Sequence, residues 1–200
     1  MTLVDALPLR APSISRRRAL DLALIGLGSL AVALAARIEI PLPWTPVPIT
    51  GQTLGVLLVG AALGLRRGAA ALGLYLAEGA AGLPVFAGGA SGVAHLVGPT
   101  AGYLWSFPFA AGLVGWLAEH GWDRRLWTAL AAMALGELVV YAFGVPWLAQ
   151  FMGWERVWMA GFWPFLPGAV IKLGVAGAAL PFAWRFVSGA AESGPSKKSA

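Results

Sequence analysis

Three ionisable residues, Glu78, Glu137 and Lys172, stand inside otherwise apolar, helix-length stretches. An ionised side chain at the centre of a bilayer costs about 2.5–3.5 kcal/mol even on lenient scales, so such groups pair with one another or face a cavity. Lys172 is the only cation in "GFWPFLPGAVIKLGVAGAALPF". At a rise of about 1.5 Å per residue, Glu78 sits ~7 Å, Glu137 ~9 Å and Lys172 ~12 Å below the same end of their spans. Gln52 and Tyr103 begin their own spans near that level, and Tyr141 lies near the end of another. Two readings of Lys172 follow: an ion pair with Glu137 or Glu78 that ties helices together, or a cation looking into a polar pocket for a small polar or anionic molecule. The "FLPG" just before it favours the pocket, because proline and glycine thin a helix start and free backbone groups to line a cavity. Glu78 reads as glue between helices, and Glu137 fits either role.

Other chemistry is excluded by what the chain lacks. There is no cysteine, so thiol catalysis and thiolate metal sites are out. The two histidines, His95 and His120, fall in different loops, and no metal site is expected. No HExxH, phosphate-cradling glycine loop or Ser/His/Asp arrangement occurs. A general base at Glu78 or Glu137 would have no second catalytic group in register. The chain is therefore read as a non-enzyme without a cofactor, and any ATP-derived energy must come from another polypeptide. The net charge of +5 does not make a nucleic-acid surface, because the basic residues cluster in loops rather than on one face interleaved with aromatics.

The elements that must position these residues are membrane spans. Hydrophobic residues make up 58% of the 200 and charged ones only 12%, about half of what soluble domains carry. The expected fold is an all-α integral membrane bundle of six transmembrane helices, over 19–36, 50–64, 68–83, 100–118, 126–143 and 164–184. Residues 1–18 and 188–200 are tails, and 19–187 form one membrane domain. "AVALA" at 31–35 imitates a signal-peptide cleavage site, but the apolar stretch is long and more spans follow, so it reads as a retained first helix. With both termini in the cytoplasm, Arg16 to Arg18, Arg66, Arg67, Arg124, Arg125, Arg185, Lys197 and Lys198 all fall inside and only Arg37 and Arg156 outside, as the positive-inside rule requires. The outer segments are elaborate. Residues 38–53 are proline-rich and stiff, 82–103 glycine-rich, and 144–161 partly amphipathic. Structured loops over a compact bundle suggest capture of something from outside. In the first helix, Ala19, Ala23, Ala31 and Ala35 form a small-residue series along which another helix can approach closely, within the bundle or from a partner.

Three stretches carry a resemblance: "PVPITGQTLGVLLVGAALGLRRGAAAL" (46–72), "GLPVFAGGASGVAHLVGPTAGYLWSFPFAA" (82–111) and "PFLPGAVIK" (164–172). Together they resemble the BioY family, the biotin-specific S components of energy-coupling-factor (ECF) transporters. The resemblance implies a cell-membrane protein that captures one biotin in the outer half of the bilayer. It also implies a transmembrane coupling protein and two ATPase subunits as partners, docked through an alanine motif that Ala31 and Ala35 match. By position it assigns biotin contacts to Lys172 and Tyr103, with Trp105 as a further stacking candidate. Gln52, Glu137 and Tyr141 complete the pocket, and Gly89 contributes backbone where some relatives carry asparagine. The family usually has an acid before its lysine; here Ala169 stands there, leaving three outcomes: compensation by Glu137, weaker binding or a different ligand. An S component for another vitamin, and a stand-alone homo-oligomeric biotin transporter, remain as alternatives.

Overall fold

The computed structural model describes residues 2–6 and 13–192. The rest of the expected tails, with Lys197 and Lys198, lies outside the described residues. A short helix α1 (Leu3–Ala6) precedes α2 (Ile14–Ala35), α3 (Gln52–Ala80), α4 (Ala101–Glu119), α5 (Leu126–Met152), α6 (Trp154–Gly161) and α7 (Leu166–Glu192). The only sheet among the described residues is a two-residue ribbon, β1 (Glu39–Ile40) antiparallel to β2 (Ile49–Thr50). Five stretches are long and apolar enough to cross a bilayer: α2, α3, α4, α5 and one from Trp154 to Phe186.

The α3 stretch supplies two of the six expected spans. Gln52 and Tyr75 are 23 residues apart, yet Gln52 Nε2 donates a hydrogen bond to the Tyr75 hydroxyl at 2.6 Å. In a straight helix those residues would be separated by about 35 Å. A Cβ built on Gly68 would also lie 3.0 Å from Gly60 Cα. The chain therefore folds back on itself at Gly64 (φ 83°, ψ −178°), a conformation open essentially to glycine alone. The arms, 52–63 and 65–80, run antiparallel. Glu119 Oε1 accepts the Leu65 N–H at 2.9 Å, capping a donor that the break leaves without an intrahelical acceptor.

α4 lies against this hairpin through small residues. A Cβ on Gly60 would meet Ala111 O at 2.5 Å, and one on Gly115 would run into the Gly64 backbone. Such contacts let membrane helices approach to backbone distance. Val56, Leu57, Leu72, Tyr75, Met133 and Val140 fill the interior. Ser29 on α2 donates to Glu78 Oε2, the interhelical role expected of Glu78.

Boundaries differ from the sequence expectation in three places. α2 starts at Ile14 rather than 19, because the Ser13 hydroxyl accepts the Arg16 N–H at 3.4 Å and caps a turn through the basic residues. The "LRRG" expected to separate spans two and three is helical, and the single residue Gly64 makes the turn instead. α5 runs through Pro146 to Met152, well past 143; neighbouring helices allow membrane helices to carry internal proline. The amphipathic character expected over 144–161 belongs to α6.

At the end bearing Arg66 and Arg67, α1 packs into the bundle. Thr2 is buried, and Leu3 packs against the buried cluster that includes Leu57, Ala61, Val114 and Leu180. Arg67 pairs with Asp5 and Asp21, each at 2.8 Å. For the Asp5 carboxyl, partial burial works upward, but hydrogen bonds from Arg67 and Thr2 and the nearby guanidinium outweigh it and hold the pKa below the ordinary 3.8. A depressed acid contributes its stability above its ordinary pKa and loses it as pH falls through the lower folded value. A spin label on a cysteine introduced at residue 3 is therefore expected to stay immobile down to about pH 4 and to become mobile on further acidification. Arg67→Ala should release it at neutral pH.

Candidate ligand-binding site

The end opposite Arg66 and Arg67 carries a cavity of about 230 Å³, slightly smaller than the usual 300–1,000 Å³ range of small-molecule sites. Its walls come from the proline-rich and glycine-rich segments and from the helices α3, α4 and α5. Glu39, Pro46 and Thr50 belong to the proline-rich segment, Phe86, Ala87, Ala90 and His95 to the glycine-rich one. Gln52 and Thr53 open α3, Tyr103 and Phe107 come from α4, and Val140 from α5.

Hydrogen bonds fix these walls. Gly51 N–H donates to Ile38 O at 2.9 Å and closes the β1–β2 ribbon onto α3. The Thr45 hydroxyl donates to Ala160 O at 2.6 Å, and Arg37 Nη2 donates to Pro84 O at 2.5 Å. The second segment is tied by Gly92 N–H to Gly79 O at 2.7 Å, and by Trp147 Nε1 to Gly98 O at 2.9 Å. Gly88 and Gly89 take positive φ, 63° and 77°, and Glu39 lies directly against Gly88. These segments are built walls.

The expected residues divide into three groups. Tyr103 and Gln52 line the cavity, but their polar atoms are engaged elsewhere. Tyr103 presents its ring, packed on Gly144, while its hydroxyl donates to Gly161 O at 2.8 Å. Gln52 is buried, accepts from Thr50 at 3.1 Å and donates to Tyr75, whose hydroxyl donates on to Val85 O at 3.0 Å. Lys172, Glu137 and Tyr141 stand one layer deeper. Lys172 is half-buried and its Nζ donates to the Thr53 hydroxyl, a wall residue, at 2.9 Å. Glu137, 6% exposed, lies one helical turn below Val140 and interacts electrostatically with Lys172. Tyr141 follows Glu137 by four residues on the same face and packs edge-on against Phe162 at 5.0 Å. Gly89 adjoins the lining residue Ala90, and the Arg37 guanidinium covers it. Trp105 turns outward, 44% exposed, with its indole N–H on Leu96 O, so it does not stack in the cavity.

Among the wall residues that the sequence does not single out are Thr53, Phe86, His95, Phe107 and Glu39, and behind the wall Tyr75 holds Gln52. Thr53 had a signal, as the neighbour of Gln52 in "TGQT". Tyr75 had none, being one aromatic in an apolar run. His95, a loop histidine by sequence, lines the cavity, and its Nδ1 contacts Ser91 O at 2.9 Å. Of the small-residue series on α2, Ala31 is exposed and Ala35 half-buried.

An aromatic, partly polar cavity under structured segments, with a lysine feeding one wall, suits a small amphipathic organic molecule. Comparison with known proteins gives the kinship. Residues 10–189 match the model of the BioY family. Biotin transporter BioY of Rhizobium etli is 43% identical over 166 residues, covering 78% of this chain and 88% of that protein. Biotin transporter BioY of Rhodobacter capsulatus is 42% identical over 172 residues, covering 78% and 89%. The crystal structure of the S-component for biotin from an ECF-type ABC transporter superposes with a TM-score of 0.77 at 25% identity, covering 88% of this chain and 95% of that one. The chain is a multi-pass membrane protein that belongs to the BioY family.

Proposed function

We propose that this protein is the biotin-capturing membrane subunit, the S component, of an ECF-type transporter, taking biotin from outside the cell. Family membership together with the cavity at the loop-bearing end carries the reading. The bicyclic ring of biotin packs against Tyr103, Phe86 and Phe107, whose faces supply apolar area and stacking. Lys172 reaches the ligand beside Thr53. Gln52 positions the wall through Thr50 and Tyr75, and the Gly88–Gly89 turn brings backbone close to the ligand. Glu137 and Tyr141 complete the polar floor. The protein binds and moves its ligand without changing it.

Both termini lie in the cytoplasm in this reading. The support is the clustering of Arg16 to Arg18, Arg66, Arg67, Arg124 and Arg125 at one end. ATP-driven partners, a transmembrane coupling protein with two ATPases, engage the exposed face of α2 that carries Ala31 and, at its edge, Ala35.

Labelled biotin is expected to bind the purified protein in nanodiscs saturably at one site per chain. Unlabelled biotin should displace it, and thiamine and riboflavin should not. Absence of saturable biotin binding would overturn the reading, and displacement by thiamine or riboflavin would reassign the ligand.

A further inference from the structure

The end of the bundle that bears Arg66 and Arg67 holds a second cavity, of about 530 Å³, within the usual size of small-molecule sites. Its walls carry three carboxylates, Asp5, Asp21 and Glu119, and two guanidinium groups, Arg66 and Arg67. Arg67 is committed internally, to Asp5 and Asp21, each at 2.8 Å. Arg66 is exposed and makes no ion pair among the described residues. Asp21 gives Oδ1 to Arg67, so its second oxygen remains an acceptor. Once Asp5 and Arg67 cancel, the cleft keeps two carboxylates against one guanidinium.

Leu63 belongs to this cleft and also to an apolar hollow of about 280 Å³ between α2 and the first arm of α3. Leu24, Leu27 and Gly28 form one side of the hollow, and Leu58, Val59 and Ala62 the other. Leu27 is 61% exposed, so the hollow opens on the lipid-facing flank. Asp21, Leu24 and Gly28 follow one another at helical spacing on one face of α2. The two hollows therefore make one seam, charged toward the start of α2 and apolar toward mid-membrane. Such a seam has the two-part chemistry of a phospholipid. We infer that it binds one phospholipid from the leaflet at this end, with a phosphoethanolamine headgroup. Arg66 takes the phosphate, which suits its planar fork of donors. The ammonium donates to Asp21 Oδ2 beside Glu119, and an acyl chain fills the groove over Ala62. Charge selects the headgroup: the excess of carboxylates disfavours a purely anionic lipid, and a choline has no N–H to donate. None of these residues lines the loop-covered cavity, so lipid binding here is independent of the biotin reading.

Native mass spectrometry of the full chain in detergent, titrated with phosphatidylethanolamine, phosphatidylcholine and phosphatidylglycerol of matched acyl chains, tests this. Wild type should hold one phosphatidylethanolamine per chain at least ~10-fold more tightly than either other lipid, the low end for a hydrogen bond to a charged group. Arg66→Gln should weaken that binding about 10-fold. Asp21→Asn keeps an oxygen for Arg67 but loses the charge. It should bring the ethanolamine and glycerol lipids to within roughly threefold of each other, a change of preference that a general loss of structure does not produce. Ala62→Phe, which fills the groove, should weaken all three lipids together. O-phosphoethanolamine, the headgroup without its chains, should not displace the bound lipid at equal concentration; displacement would identify a soluble phosphoamine as the occupant and overturn the lipid assignment. Equal binding of the three lipids by wild type, or tighter binding of phosphatidylglycerol, would overturn the inference.

Discussion

The Lys172→Ala variant is expected to hold biotin at least about 100-fold more weakly than the wild-type chain. Hydrogen bonds to a charged group contribute roughly 1.5–3 kcal/mol each, and the ammonium retains two donors beyond the one given to Thr53. Its removal also leaves the Glu137 carboxylate buried without its cation, and uncompensated buried charge is among the costlier defects in a protein. Lys172→Met separates these effects from packing, because the thioether chain replaces most of the aliphatic stem. Both variants should lose affinity together if the charge matters, and only the alanine variant if the stem does. Isothermal titration in nanodiscs reads the difference. Affinity within about threefold of wild type in both would remove Lys172 from the ligand's surroundings.

The largest stability effect is expected at Gly115, where α4 meets the turn of the α3 hairpin. A methyl group there runs into the carbonyl carbon and oxygen of Gly64 and the nitrogen of Leu65. These are backbone atoms that cannot rotate aside, and Gly64 already occupies a conformation open to little but glycine. Overpacking usually costs 1–3 kcal/mol and more where nothing can yield, so Gly115→Ala should destabilise the fold by about 3 kcal/mol or more. For a chain of this size that corresponds to a fall of roughly 6–12 °C in melting midpoint. Gly26 and Gly73, also within helices, are the controls: a Cβ at either meets nothing within 4 Å. Alanine there should leave the midpoint unchanged or raise it, since alanine is the better helix former. Comparable losses in all three variants would mean that helix composition, not the close crossing, sets the stability.

How far the fold could be read from sequence depends on where its information is local. Lys172 stood out because a cation in an apolar run has no ordinary explanation, and its depth could be counted along the helix. The order of the spans followed equally well from hydropathy. The turn at Gly64 was not legible as a turn. Nothing distinguishes that glycine from its neighbours Gly60 and Gly68 in sequence, and only the packing of α4, with Glu119 capping Leu65, makes the break stable there. "LRRG" looked like a connector because arginines usually leave helices for loops, yet both continue the second arm. α5 likewise runs on through Pro146, past the expected end at 143, because surrounding helices let a membrane helix carry internal proline.

The cavity divides along similar lines. The proline- and glycine-rich segments were recognisable as wall material from composition. Which of their side chains face inward was not, because 3-10 turns and irregular loops have no period from which to count. Tyr103 illustrates a further limit. Its position at the cavity was foreseeable, but the donation of its hydroxyl to Gly161, 58 residues away, belongs to tertiary structure. That bond occupies the hydroxyl and leaves the ring to line the cavity.

The hairpin also sets a distance that matters for delivery. Its first arm, residues 52–63, is only about 18 Å long, whereas the oily layer of a bilayer is about 30 Å deep. A molecule beside Thr53, near the top of that arm, would have only about that length of helix between it and the end bearing Arg66 and Arg67, so the displacement that exposes it there would be correspondingly short.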